Sequence, residues 1–197
     1  MQPIETRYKG YRFRSRLEAR WAVFFDAMGM RWSYETQGYE FNGVRYLPDF
    51  SVTRGSNVIA FYEVKPSYVE VDPKLTAFEA AYRAHHADDC EVFTLLRGDP
   101  YTCLFDGGTG VGVCPGCGLL SIDAHPCAQH GTTVYVHCDT CDFAPRDHQF
   151  PNALAKVDFH KGLVTIDVED FLALQKRLER AALLARGTRF EHGESPT

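Results

Sequence analysis

Two carboxylates and a lysine stand at the ends of two apolar segments, and they constrain the fold more than any other feature. Asp49 directly precedes residues 50–52, Glu63 lies near the end of residues 58–64, and Lys65 follows that segment. Both segments are rich in β-branched and aromatic residues, which predicts short strands. Charged groups inside a sheet are costly unless they neutralise one another or bind a metal. The pattern therefore predicts a strand pair with a charged site at one end.

The residues between the two segments determine how they pair. Residues 54–57 are Arg-Gly-Ser-Asn, a composition typical of turns, so we expect a hairpin. A hairpin symmetric about Ser56 places Asp49 across from Glu63. The second segment is apolar on both faces, which is typical of a strand in the middle of a sheet.

The chain has proline and aspartate at 48 and 49, then a spacer, then glutamate, any residue and lysine at 63–65. This order resembles the signature of the PD-(D/E)XK nuclease superfamily. The resemblance implies an α/β, restriction-endonuclease-like mixed sheet flanked by helices, and metal-dependent hydrolysis of DNA phosphodiester bonds. It implies that Asp49 and Glu63 hold Mg²⁺ or Mn²⁺, with the Val64 carbonyl nearby. Lys65 would orient or activate the attacking water, which suits the oxygen-ligand chemistry of Mg²⁺. The alternative is an edge-strand surface pair of Glu63 and Lys65, with Asp49 in a turn.

A second part of the resemblance lies upstream. Residues 11–22, Tyr-Arg-Phe-Arg-Ser-Arg-Leu-Glu-Ala-Arg-Trp-Ala, resemble the segment before the sheet in transposon end-cleaving nucleases and small phage endonucleases of that superfamily. There the matching glutamate, here Glu18, joins the active site as a catalytic residue. The alternative is structural, because Ser15 and Glu18 have the spacing of a capping box in which Glu18 reaches back to the Ser15 amide. Gly29 ends the predicted helix.

Residues 7–20 carry six basic residues and one acidic residue, a local charge of +5 in a chain whose net charge is −5. Such a cluster predicts contacts with nucleic-acid phosphates, and a solvated helix face without a ligand is the alternative. The acidic whole-chain charge argues against a broadly basic coat protein and leaves a nuclease open. The predicted DNA-binding residues are Lys9, Arg12, Arg14, Arg16 and Arg20.

Two Cys-x-x-Cys pairs form a second chemical module. Cys114 and Cys117 are separated by twenty residues from Cys138 and Cys141. Two such knuckles can place four thiolates around one tetrahedral ion, so the spacing predicts structural Zn²⁺ in a zinc ribbon with a strand at residues 133–136. A disulfide pair is the alternative, although no secretory leader argues for an oxidising compartment. Other nearby side chains are expected outside the ligand shell: His125, Cys127, His130 and His137.

The remaining patterns complete the expected organisation. Strand candidates lie at residues 31–35, 39–41, 91–96 and 163–166, and helix candidates at 72–86, opened by Asp72, and from 167 to about 186. The last helix has an apolar stripe that would pack on the core or form a homodimer or protein-partner surface. The expected units are a nuclease core at 1–110, the zinc ribbon at 111–147, a strand and helix at 148–187, and a mobile tail at 188–197.

Composition bounds the functional classes. A chain of 197 residues with 45% hydrophobic residues can bury a substantial core. No segment has the length of a membrane span and no secretory leader is present, so we expect a cytoplasmic protein without a membrane partner. The resemblance places it in a bacterium that carries a phage or mobile element. The main alternatives to a DNA endonuclease are an inactive nuclease-fold protein that binds nucleic acid or assembles with partners, and an enzyme that acts on RNA.

Overall fold

The computed structural model describes residues 5–54, 57–86, 92–106, 111–113, 119–121, 126–129, 133–136, 156–158 and 163–190. The fold is mixed α/β, as predicted. Its elements in chain order are β1 (Thr6–Tyr8), β2 (Tyr11–Phe13), α1 (Arg16–Ala27), β3 (Trp32–Tyr34), β4 (Tyr39–Phe41), β5 (Val44–Tyr46), β6 (Phe50–Arg54), β7 (Asn57–Lys65), α2 (Pro73–His85), β8 (Val92–Arg97), α3 (Pro100–Phe105), β9 (Gly112–Val113), β10 (Leu120–Ser121), β11 (Pro126–Gln129), β12 (Thr133–Val136), β13 (Lys156–Asp158), β14 (Leu163–Asp167) and α4 (Val168–Gly187).

A four-stranded mixed sheet in the order β3-β6-β7-β8 lies at the centre. The β3–β6 and β6–β7 pairs are antiparallel, whereas β7 and β8 are parallel and are joined through α2. Ala60, Phe61 and Tyr62 of β7 are at most 1% exposed, so this strand is buried on both faces. The prediction of a central strand here is confirmed.

The β6–β7 pair is the predicted hairpin. Phe50 faces Tyr62, which is the register expected from symmetry about Ser56. A β-bulge nearer the turn shifts the register by one residue, so the symmetry holds only at the open end of the hairpin. At that open end, Asp49 and Glu63 are the next residues along the two strands.

Helices cover both faces of the sheet. On one face, α1 and α4 share a buried cluster with the sheet that includes Phe25, Tyr62 and Leu174. On the other face, α2 packs against Phe61 through Phe78, and the β4–β5 hairpin packs through Tyr39 on Phe61 and Tyr46 on Phe78. Because side chains alternate along a strand, Glu63 belongs to the same face of β7 as Phe61. The charged site therefore lies at the α2 side of the sheet.

The starts of α1 and α2 follow the predicted capping signals. The hydroxyl of Ser15 accepts from the Glu18 amide at 3.2 Å, and Asp72 caps α2 with Pro73 in the first turn. Gly29 has φ +70 just after α1, the left-handed conformation that commonly ends a helix. None of the helices in the described ranges combines the length and apolar character that a membrane span requires.

Elements that were not predicted include the β1–β2 and β4–β5 hairpins, the strands β9, β10, β11 and β13, and helix α3. From sequence, residues 31–35 and 39–41 favour a strand pair or a strand and bulge; instead β4 pairs with β5, with Tyr39 facing Tyr46. The turn explains the difference, because Asn42 and Gly43 both have positive φ, which matches the twist of a tight hairpin. Lys9 and Gly10 form the same kind of turn between β1 and β2, and α3 adds a short helix after β8.

The C-terminal helix α4 is part of the core. Its buried face includes Leu174, Leu178, Ala181 and Ala185, which belong to the predicted apolar stripe, and also Ala182, which does not. At its far end, the Arg186 guanidinium binds the Asp99 carboxylate at 3.0 Å and lies over the Tyr101 ring at 4.3 Å. These contacts fix α4 against α3.

Strands β9 and β10, which flank the first cysteine pair in sequence, lie against the central sheet. Val113 of β9 faces Leu120 of β10, and the Leu120 amide donates to the Tyr62 hydroxyl at 3.0 Å. Further along, the predicted strand at 133–136 is β12, which lies in a second antiparallel sheet of order β11-β12-β14-β13. The four predicted zinc ligands lie outside the described residues: Cys114, Cys117, Cys138 and Cys141.

Packing of α4 on the core can be tested with two leucines of one helix. Leu174 is 2% exposed and Leu172 is 47% exposed. We expect Leu174→Ala to lower the free energy of unfolding by ~2–5 kcal/mol because it leaves a cavity. Leu172→Ala should cost about 0.5 kcal/mol or less. Equal losses in urea denaturation would contradict this arrangement.

Candidate active site

Asp49, Glu63 and Lys65 meet where β6 begins and β7 ends. Asp49 and Glu63 are 4% and 6% exposed. The Val64 amide donates to Asp49 Oδ2 at 2.8 Å, and the Lys65 ammonium donates to Glu63 Oε1. The three residues that the sequence singled out are thus brought together in one cluster, in which both carboxylates are buried and Lys65 is partly exposed.

Both oxygens of Glu63 have donors. Lys65 occupies Oε1, and the Tyr46 hydroxyl donates to Oε2 at 2.5 Å. Burial raises the pKa of Tyr46, and the negative charge of Glu63 raises it further, so this hydroxyl stays protonated. Tyr46 comes from β5 and was not predicted as a site residue. Its contact depends on where the β4–β5 hairpin packs.

The environment of Asp49 disfavours its charged form. Burial raises the pKa of Asp49 to about 7, and the negative charges of Glu63 and Glu18 act in the same direction. The Val64 amide and the Lys65 ammonium oppose the shift without cancelling it. At neutral pH, this end of the sheet therefore holds more negative charge than its own donors and cations stabilise.

Glu18 both caps α1 and lies within electrostatic reach of Asp49. Its carboxylate accepts from the Ser15 hydroxyl at 2.8 Å, the Arg14 amide at 3.0 Å and the Tyr34 hydroxyl at 2.5 Å. The predicted bond to the Ser15 amide is replaced by the Arg14 amide, because the carboxylate reaches one residue further back. Burial and the bond to Glu18 raise the pKa of Tyr34 to about 12.

Lys65 is held between two carboxylates. Besides Glu63, its Nζ lies 3.2 Å from Asp72 Oδ2. Burial disfavours the ammonium form, but the hydrogen bond and charge of Glu63, together with Asp49 and Asp72, raise the pKa of Lys65 overall. Lys65 is therefore a cation at neutral pH. Asp72 was predicted only as a helix cap.

Arg14 directly precedes Ser15, the N-cap of α1, and its side chain reaches the buried carboxylates. Its Nη2 lies 3.2 Å from Asp49 Oδ1, and it also contacts Glu35 Oε1. Its side chain is 62% exposed, so the guanidinium contacts the buried Asp49 carboxylate and the solvent at the same time. Glu35 was not predicted; it has φ +44, and its amide donates to the Asp49 carbonyl at 3.1 Å.

The other four predicted DNA-binding residues are spread over the β1–β2 hairpin and the first half of α1. Lys9 pairs with Asp26 at 2.9 Å near the opposite end of α1, and Arg12 pairs with Glu5. Arg16 is exposed in the first turn of α1, and Arg20 lies one turn further on. Of the five, the structure places only Arg14 in contact with the buried carboxylates.

The donor set suits a cation that needs few protein ligands. Within the described ranges, no three His, Cys, Asp or Glu side chains are grouped so as to hold a metal by themselves. Mg²⁺ is usually bound by one or two carboxylates, with waters and substrate phosphate completing its shell. Asp49 and Glu63 supply two buried carboxylates, and the donors around Asp49 do not fully offset its charge. The residues therefore fit Mg²⁺ or Mn²⁺ and do not form a protein-only cage.

Comparisons of the chain with models of protein families, with curated proteins and with solved structures found no match.

The raised pKa of Asp49 makes a prediction about the metal-free protein. Because this pKa is about 7 in the folded state, against 3.8 ordinarily, the folded state binds the proton more tightly over that interval. The stability that Asp49 contributes is present at low pH and lost as pH rises towards 7. In EDTA, Asp49→Asn should therefore raise the melting temperature relative to wild type, and more at pH 8 than at pH 5.

Asp106→Asn is the control, since the Asp106 side chain is 50% exposed. It should shift the melting temperature little and equally at both pH values. If the difference in melting temperature between Asp49→Asn and wild type is the same at pH 5 and pH 8, burial of the Asp49 charge does not destabilise the fold.

Proposed function

We propose that this protein is a metal-dependent deoxyribonuclease that hydrolyses phosphodiester bonds at the end of β7. The observation that carries the proposal is the opposed pair of buried carboxylates, Asp49 and Glu63, with Lys65 two residues further along the strand. The raised pKa of Asp49 supports a bound cation, because a divalent ion would relieve the excess negative charge.

The proposal includes a restriction-endonuclease-like fold. The chain runs from α1 through the Asp49 and Glu63 strands and the α2 crossover to a parallel β8, which is the order that the PD-(D/E)XK resemblance implies.

Asp49 and Glu63 would hold the cation between the two strand ends. The Val64 amide faces Asp49, and in an antiparallel pair the carbonyl of the same residue points to the same side. The Val64 carbonyl is therefore suited to be a further oxygen ligand. A bound Mg²⁺ would lower the pKa of its water and neutralise charge developing on the phosphate.

Lys65 would act as a cation, not as a base. Its raised pKa means that it cannot accept a proton from water at neutral pH while its carboxylate partners are charged. It would orient the attacking water by donating a hydrogen bond, and would stabilise the negative charge that develops on the phosphate.

Arg14 would meet the DNA backbone. Its guanidinium is bound to Asp49 on one side and is largely exposed on the other, so a phosphate approaching the carboxylates would reach Arg14 as well. Arg16, exposed in the first turn of α1, would add a second phosphate contact. Glu18 would support this end of α1 and add to the local negative charge.

Cleavage of labelled duplex, branched and single-stranded DNA, with an RNA arm, tests the function. With Mg²⁺ or Mn²⁺ we expect DNA hydrolysis, and none in EDTA. Asp49→Asn and Glu63→Gln should abolish it, because each removes a charged metal ligand. Lys65→Ala should lower kcat by about 100- to 1,000-fold, the cost of removing one donor to a developing oxyanion. Asp106→Asn should cleave like wild type.

Three results would redirect the proposal. Equal cleavage by wild type and Asp49→Asn would place the activity elsewhere. Binding of DNA without hydrolysis under every metal condition would favour the inactive nucleic-acid-binding alternative. Hydrolysis of the RNA arm alone would keep the chemistry and change the substrate.

We also propose that Cys114, Cys117, Cys138 and Cys141 hold one structural Zn²⁺, on the spacing of the two cysteine pairs. Four thiolates leave no open position for water, so this ion would not take part in hydrolysis. We expect one zinc per chain by elemental analysis, lost when Cys114 and Cys117 are changed to Ser. Undiminished zinc in that variant would exclude this ligand set.

A further inference from the structure

Asp72 has two acceptor oxygens, and the structure gives them different partners. Oδ1 accepts from the Lys74 amide at 2.8 Å and the Leu75 amide at 3.2 Å, which makes it the cap of α2. Oδ2 lies 3.2 Å from Lys65 Nζ. One carboxylate thus joins the first turn of a helix to the lysine at the end of β7.

The helix fixes where the second oxygen lies. Two amides hold Oδ1, so the carboxylate cannot rotate freely, and α2 itself is anchored by Leu75 and Phe78 in the buried cluster on that face of the sheet. Asp72 is 9% exposed, so water competes little for Oδ2. By contrast, a lysine side chain has several rotatable bonds and loses conformational entropy when it is fixed. A rigid partner lowers the number of positions its ammonium can take.

Glu63 alone cannot give Lys65 this fixed position in the proposed reaction. Its Oε1 accepts from Lys65 and its Oε2 accepts from Tyr46. A divalent cation on Glu63 would compete with the ammonium for the same carboxylate. Asp72 would then be the anion that keeps Lys65 at the strand end.

We propose that Asp72 is the positioning residue for Lys65, holding its ammonium at the end of β7 through Oδ2 while Oδ1 caps α2. This role rests on the proposed nuclease function, because it assigns a purpose to the lysine of that site. Asp72 is not a ligand of the cation and does not touch the reacting atoms.

The Asp72→Asn variant separates the capping of α2 from the contact with Lys65. Asparagine is as good a helix cap as aspartate, so Oδ1 keeps its amides, whereas the negative charge facing Lys65 is gone. We expect the melting temperature in EDTA to fall only slightly, through the lost ion pair with Lys65, and kcat for DNA cleavage to fall by about 10- to 100-fold, as for other residues that orient a site through a neighbouring side chain. KM should change less than kcat, because Asp72 does not contact DNA. Asp72→Ser, with a different capping oxygen, repeats the test if the Asn variant does not fold.

Asp99→Asn is the matched control. Asp99 caps α3 in the same way, accepting from the Tyr101 and Thr102 amides at 3.0 and 3.1 Å, and it also pairs with a basic side chain, Arg186. Asp99→Asn removes an equivalent helix-cap charge outside the site and should leave kcat unchanged. Equal losses of kcat in Asp72→Asn and Asp99→Asn would mean that Asp72 affects cleavage only through stability, and would overturn the proposal.

Two double-mutant comparisons test whether Asp72 acts through Lys65. In cleavage, adding Asp72→Asn to Lys65→Ala should cause no further loss of kcat. In thermal unfolding with EDTA, which needs no activity, the changes in melting temperature of the two single variants should not add. Additive effects in both measurements would overturn the positioning role.

The cleavage results distinguish failure of the positioning role from failure of the proposed nuclease function. If wild type cleaves and Asp72→Asn cleaves within about twofold of it, the positioning role is wrong while the nuclease function stands. If wild type hydrolyses no nucleic acid, the proposed function fails, and the positioning role fails with it.

Discussion

Several carboxylates are buried at one end of the central sheet, where charge is costly unless it is compensated. Asp49 and Glu63 are almost fully buried, and Glu18 adds its charge from the start of α1. Each is stabilised by donors from a different element: the Val64 amide in β7, the hydroxyl of Tyr46 in β5, and backbone and side-chain donors around α1. These donors are not sufficient to hold Asp49 at its ordinary pKa. An arrangement that keeps this cost is expected at a functional site.

The charged site and the fold position each other. The hairpin register places Asp49 beside Glu63, and the alternation of β7 directs Glu63 to the α2 side of the sheet. The β4–β5 hairpin then brings Tyr46 to Glu63, while the cap of α2 brings Asp72 to Lys65. Three layers therefore contribute to one cluster, so its geometry is set by the packing of the core and does not depend on exposed loops.

Sequence patterns found the parts of this site that local rules determine. Strand periodicity and a turn-rich spacer predicted a hairpin that brings Asp49 and Glu63 to the same end of the sheet. Their directly opposed positions also depend on the bulge between Val52 and Thr53, which was not predicted and which offsets the register set by the Arg54–Asn57 turn. The sequence patterns did not predict Tyr46 or the second role of Asp72, since those contacts depend on how a hairpin and a helix pack on the sheet. The tight turn at Asn42 and Gly43 was a local signal that would have given the β4–β5 pair.

The central claim is that Asp49 and Glu63 bind a divalent cation. The most direct measurement is calorimetric titration of the protein with Mn²⁺ near pH 7, repeated in buffers of different ionisation enthalpy. We expect one ion to bind at this site and to release protons, because Asp49 is partly protonated before the ion binds. Binding and proton release should both disappear in Asp49→Asn. Absence of binding, or equal binding by wild type and Asp49→Asn, would contradict it.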